Sequence, residues 1–210
     1  MIIGVPREVK VGETRVSMTP SLCRRLTGMG ATVIVEKRAG ASAGFGDAQY
    51  REAGATIAAS AAAVWKRADL VLKVKEPLES EYAHLRDGLT LFTYLHLAAE
   101  AKLAKSLLEK RVSAIGYETV TDAGGGFPLL RPMSEIAGRM APQMGALGLM
   151  LPYGGNGTLV SGVPGVWPAR ITIIGGGTVG MNAVRTAVGL GAQVRLLDRG
   201  ADRLRHAEEL

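Results

Sequence analysis

"ITIIGGGTVGMNAVRTAVGLGAQVRLLD", residues 171–198, decides the fold. It opens as an apolar, β-branched strand and runs into G-x-G-x-x-G at Gly175, Gly177 and Gly180. A helix follows, then a second strand that ends in Asp198. Each part has a task in gripping a dinucleotide. Gly175 makes the tight turn, Gly177 lets the backbone approach a pyrophosphate, and Gly180 lets helix and strand pack closely. Thr178 and Val179 begin the helix, whose free N–H groups and partial positive charge suit phosphate. Asp198 can accept hydrogen bonds from an adenosine ribose. A glycine triplet alone is weak evidence, because any turn can use glycine. Strand, loop, helix, strand and terminal acid in order are far more specific. Asp198 favours NAD over NADP, since a carboxylate repels a 2′-phosphate. Arg199 and Arg203 work against that preference. Arg203 is counted with the cofactor residues, and the plainer reading of both arginines is a solvated helix start.

Working outward, the remainder alternates in the same way. Strands are expected at 1–5, 32–36, 70–75, 89–94 and 112–117. Helices are expected from Pro20 through "SLCRRLTGMG", near 47–53, through "AAVWKRAD" and over 99–110. Apolar strands alternating with helices imply an α/β fold, a mostly parallel sheet with helices on its faces. "DAGGGFPLLRP" (122–132) reads as a hinge, so one domain is expected over 1–128 and another over 129–210. A helix is expected to start at Ser134 as N-cap, and Pro142 should kink or break it. A short strand is expected between the loops "PYGGNG" and "SGVPGVWPA".

Composition narrows the function. The chain has 210 residues, 47% of them hydrophobic, enough for a real core. Formal net charge is +6, but the basic residues are dispersed, with no stripe of interleaved aromatics. That disfavours nucleic acid and suits anionic small molecules. No apolar run reaches the length of a spanning helix, so no membrane partner is expected. Cys23 is the single cysteine, which excludes an intrachain disulfide and suits a reducing, cytoplasmic compartment.

"LFTYLHLAAE" (91–100) holds the most reactive candidate. His96 is either a reacting group at a strand end or a polar residue in a turn, and residue chemistry alone leaves the two even. Tyr94 lies two positions earlier, on the same face if the strand extends that far. Arg15, in "ETRVSMTP", has a planar fork suited to a carboxylate, or is a surface arginine beside Glu13. Lys75 is expected at a strand's C-terminal end, the usual ligand side of a parallel sheet. Lys73 and Glu76 nearby allow the plainer reading of a charged strand end.

"GVPREVKVGETRVSMTP", "VKVKEP", "LFTYLHLA", "RPMSEIAGRMAPQ" and "SGVPGV" leading into "GGGTVG" together resemble the N-terminal part of the NAD-dependent L-alanine dehydrogenase family. The transhydrogenase α subunit shares its fold and opening motif. The resemblance implies a Rossmann-like substrate domain followed by an NAD-binding domain. It implies reversible oxidative deamination of L-alanine to pyruvate and ammonium. It assigns substrate binding to Arg15, Lys75, Tyr94 and Met133, catalysis to His96 and Lys75, and cofactor contact to Ser134. It also suggests a homo-oligomer, a hexamer. Family members continue past position 210, so the chain is expected to be a truncated form, holding one β-α-β of the nucleotide domain and inactive alone. Two rivals remain: a transhydrogenase-like NAD-binding segment, against which "TYLHLA" argues, and a non-catalytic assembly or NAD-binding module.

Overall fold

The computed structural model describes residues 1–210, in two compact units, Met1–Val120 and Thr121–Leu210. The first unit runs β1 (Ile2–Val5), α1 (Pro20–Gly28), β2 (Thr32–Glu36), α2 (Asp47–Glu52), β3 (Thr56–Ala58), α3 (Ala61–Arg67), β4 (Leu70–Leu72), β5 (Thr90–Thr93), α4 (Ala101–Glu109) and β6 (Ser113–Gly116). All six strands pair in parallel, in the order β3-β2-β1-β4-β5-β6. The order reverses around β1, which starts one winding toward β3 and another toward β6. A crevice therefore opens at the carboxyl ends of β1 and β4.

The strands form because their side chains can be buried on both faces. In β2, Val33 and Val35 join Ile3, Val5, Met18, Cys23 and Tyr50 on one face. Ile34, between them, turns to the other face with Ala58 and Val64. Trp65, Val71, Leu89, Leu91 and Leu103 form the core beyond β4. Tyr50 is fully buried, and its hydroxyl donates to the Met18 carbonyl at 2.7 Å. Thr19 caps α1 by accepting from the Leu22 N–H, with Pro20 preset for the first turn.

The second unit holds α5 (Arg131–Leu149), β7 (Arg170–Ile174), α6 (Thr178–Gly189), β8 (Gln193–Leu197) and α7 (Ala201–Glu208). β7 and β8 pair in parallel, with Ile171 opposite Val194, and α6 crosses between them. Met181, Ala183, Val184 and Ala187 of α6 are buried. No helix of the protein is long and apolar enough to cross a membrane.

Several details differ from the sequence reading. β3 lies in "GATIAAS", where only three residues pair and no long apolar run marks them. β4 stops at Leu72 because the Val74 and Lys75 N–H groups leave the ladder for the Glu8 carboxylate. α5 starts at Arg131 rather than Ser134, and the Ser134 N–H bonds the Leu130 carbonyl. Pro132, in the first turn, starts the helix early, so Ser134 is not its N-cap. Pro142 does not break α5. Four residues before it stands Gly138, whose Cβ would lie 2.2 Å from the Val179 carbonyl. That close approach to α6, with Arg139 Nε donating to Asn182 Oδ1 at 3.2 Å, holds the helix through the proline. The strand expected between the two loops, at 158–160, does not form; the isolated bridge from Val163 to Val166 lies within the second loop.

Candidate functional site

In the first unit the candidate residues gather beyond the carboxyl ends of β4 and β5. Lys75 stands three residues past the end of β4. Its N–H and that of Val74 donate to Glu8, at 3.3 and 2.6 Å, so a carboxylate from the loop after β1 sets the lysine's backbone. Beneath it Lys73 is buried, with its ammonium 3.3 Å from Glu8 and 2.9 Å from Glu81. Burial raises the Glu8 carboxyl above its ordinary value; the Lys73 charge and the two backbone bonds oppose this only in part.

Past β5 the chain turns sharply. His96 has φ +51°, in the left-handed region where non-glycine residues are uncommon. Glu118, after β6, holds it there: its carboxylate accepts the His96 N–H at 2.7 Å and the Leu95 N–H at 3.0 Å. The turn leaves the imidazole half exposed and stacked against the Tyr94 ring, centroids 6.1 Å apart. Tyr94 itself is buried, edge-on to Tyr117 at 5.0 Å. Burial raises the Tyr94 phenol; the Arg15 charge lowers it and Glu118 raises it.

Arg15 is half exposed, and its fork lies on Glu13, with Nε 2.8 Å from Oε1 and Nη2 2.6 Å from Oε2. The arginine's hydrogen bonds hold the Glu13 carboxyl below its ordinary value, and Lys75 adds to this. Arg15 acts on Tyr94 and Lys75 on Glu13, so Arg15, Lys75, Tyr94 and His96 share one neighbourhood. That neighbourhood brings together two cations, a phenol and an imidazole.

The carboxylates that build this site, Glu8, Glu76 and Glu118, were not singled out as functional by sequence reasoning. Each acts on a residue far along the chain, and no local spacing marks such a pair. Their one signal is position: each lies just past the end of an apolar strand.

In the second unit, Gly175 has φ +97° and makes the turn. A Cβ on Gly180 would stand 1.7 Å from the Gly175 carbonyl, so only glycine lets α6 start there. At Gly177 the Cβ direction is open space, as a closely approaching pyrophosphate requires. Ser134, Gly175, Gly177, Thr178, Val179 and Gly180 line one cavity of about 810 Å³. Met133 is in the same first turn of α5 as Ser134. A second cavity, about 860 Å³, lies at the carboxyl ends of β7 and β8, lined by Asp198, Arg199, Gly200 and Arg203. Asp198 accepts the Gly176 and Gly200 N–H groups, both at 2.6 Å, which hold its carboxyl below its ordinary value. Arg203 Nη1 stands 3.4 Å away. These residues fit a dinucleotide: an open helix start for phosphate, and an ionised acid beside it for a ribose.

Comparison with known proteins places the chain. Residues 4–137 match the family described as alanine dehydrogenase/PNT, N-terminal domain, and residues 141–210 match its C-terminal domain. An alanine dehydrogenase of Halomonas elongata is 55% identical over 204 residues, 97% of this chain and 55% of the relative. That of Bacillus subtilis is 54% identical over the full chain, again 55% of the relative. The chain thus spans about half the length of these curated relatives. A solved L-alanine dehydrogenase superposes on all of this chain and 58% of its own, with a TM-score of 0.90 and 48% identity. A transhydrogenase of Sinorhizobium meliloti, at 24% identity and a TM-score of 0.78 over 100% of this chain and 62% of its own, shares the fold. With both family domains matched in order, the chain belongs to the alanine dehydrogenase/PNT family.

Proposed function

We propose that this chain carries the substrate site and part of the NAD site of an L-alanine dehydrogenase. The reaction is L-alanine, NAD⁺ and water to pyruvate, ammonium, NADH and a proton, run reversibly. The observation that carries this reading is the grouping of Arg15, Lys75, Tyr94 and His96 at the carboxyl ends of β4 and β5. The high identity to alanine dehydrogenases supports the choice of substrate.

Arg15 holds the substrate carboxylate, exchanging Glu13 for it, since both are carboxylates suited to the same fork. Lys75 adds a second cation toward the carboxylate or the carbonyl oxygen. His96 takes the proton released as the amino acid becomes an imine and water adds, and returns it in the reverse direction. Tyr94 packs against the imidazole and orients the substrate. Met133 lines the substrate side. Bound NAD supplies the hydride acceptor. Gly175, Gly177, Thr178, Val179 and Gly180 cradle its pyrophosphate, Ser134 contacts it, and Asp198 with Arg203 takes the adenosine ribose. A homo-oligomer, a hexamer by family resemblance, and a cytoplasmic location belong to the same reading. Ile136, Met140 and Met144, exposed at four-residue spacing on α5, support self-association.

The test is a calorimetric titration of pyruvate and, in parallel, NAD into the chain. Pyruvate binding that disappears in Arg15→Ala while NAD binding persists supports the reading. Pyruvate binding unaffected by both Arg15→Ala and Lys75→Ala sinks it.

A further inference from the structure

Glu76 follows Lys75 in the chain and is 2% exposed. Its two carboxylate oxygens have different fates. Oε1 is taken by the Lys10 ammonium. Oε2 is buried with no hydrogen-bond partner. A buried acceptor without a partner is costly, and native structures rarely leave one so. The group it faces is the His96 imidazole, whose Nε2 stands 4.0 Å from Oε2.

We propose that Glu76 is the positioning residue for His96, its free oxygen serving as counter-charge and hydrogen-bond acceptor for the imidazole when the ring takes up a proton. This rests on reading His96 as the proton carrier. The geometry is that of a ring held from three sides. Glu118 fixes the His96 backbone, Tyr94 stacks on one ring face, and Glu76 waits at Nε2. A ring turn of about 1 Å would bring 4.0 Å to hydrogen-bond length. The charged groups around the imidazole are then Glu76, Glu118, Lys10 across Glu76, and the Arg15 and Lys75 of the same neighbourhood. The carboxylate is ionised when needed: burial raises it, but Lys10, a backbone bond and the His96 charge outweigh that and bring it below its ordinary value. Orienting a base through a buried acid is a recurrent arrangement, because it holds the ring and stabilises the cation that forms.

The experiment uses diethyl pyrocarbonate, which acylates unprotonated imidazole, with site occupancy read by mass spectrometry. The chain has three histidines, so His84 and His206 are internal controls. At neutral pH, Glu76→Gln should speed modification of His96 by up to about fivefold, the factor for charges 4.0 Å apart under full water screening. His84 and His206 should be unchanged. An unchanged His96 rate overturns the proposal. If all three histidines accelerate, the variant has lost its fold, and Lys10→Met decides. Freeing Glu76 from Lys10 should slow His96 further, and an unchanged or faster rate overturns the proposal. Pyruvate added to the wild-type reaction separates this from the functional reading. Acceleration by Glu76→Gln without any protection of His96 by pyruvate would leave the pair standing and remove the substrate site.

Discussion

The Glu118 carboxylate accepts the His96 N–H at 2.7 Å, and the histidine it holds has φ +51°. A side chain one strand away thus sustains a backbone conformation that costs of order 1–3 kcal/mol. Glu118→Ala should lower stability by about 1.5–3 kcal/mol in urea unfolding, the range for hydrogen bonds to a charged group. Glu118→Gln, which keeps an accepting oxygen, should lose less. Equal stability of Glu118→Ala and wild type would mean the turn holds itself.

Arg15→Ala should weaken pyruvate binding by about 10- to 150-fold, the factor for losing a charge-assisted bond of roughly 1.5–3 kcal/mol. NAD or NADH affinity should change far less. Lys75→Ala should weaken pyruvate similarly. Parallel loss of both ligands in Arg15→Ala would make the arginine structural.

Glu13 and Glu8 predict opposite pH behaviour. Glu13 is held below its ordinary value of 4.5 by Arg15, so its stabilisation is present above about pH 4.5 and is lost as pH falls through its native value. Arg15→Ala should therefore flatten the acid limb of the stability curve. Glu8 is raised above 4.5 by burial, so the native state keeps a proton that the unfolded chain has released. It makes stability fall as pH rises from about 4.5 through the native value, and Glu8→Gln should lack that fall. Urea midpoints across acid pH check both, and identical curves for variants and wild type would refute both.

Gly180→Ala would place a methyl 1.7 Å from the Gly175 carbonyl, which no rotamer can relieve. It should abolish NAD binding and raise hydrogen exchange through α6, while protection of β1, β2 and β4 is kept. Gly177→Ala, whose methyl meets open space, should leave exchange unchanged and still weaken NAD. Normal NAD affinity in Gly177→Ala would place the pyrophosphate elsewhere.

Asp198→Ala should reduce the preference for NAD over NADP, since it removes the carboxylate and leaves Arg203 unpaired in the same cavity. Competition binding of the two cofactors measures it. Equal binding of both by the wild type would overturn the reading of Asp198 against Arg199.

Much of this fold was legible because its signals are local. Val33, Ile34 and Val35 in a row announce a strand buried on both faces, and the spacing of Gly175, Gly177 and Gly180 carries its own turn. β3 was missed because three residues cannot display a period. Ser134 looked like a helix cap, and Pro132 had already begun the helix. Arg15, Lys75, Tyr94 and His96 were named from chemistry and family likeness. The carboxylates behind them could not be, since Glu8 meets Lys75 across 67 positions and Glu118 meets His96 across 22.

That long reach of Glu8 bears on when the site comes into being. The Val74 and Lys75 amides lie 66 and 67 positions downstream of the acid that fixes them. Until β4 docks beside β1, the segment bearing Lys75 lacks its anchor and Lys73 lacks one of its two counter-ions. Closing so long a loop is an entropic cost met only once the sheet assembles. The lysine's geometry is therefore an outcome of sheet assembly: a chain with β1 and β2 paired but β4 undocked would carry Glu8 with no amide to hold.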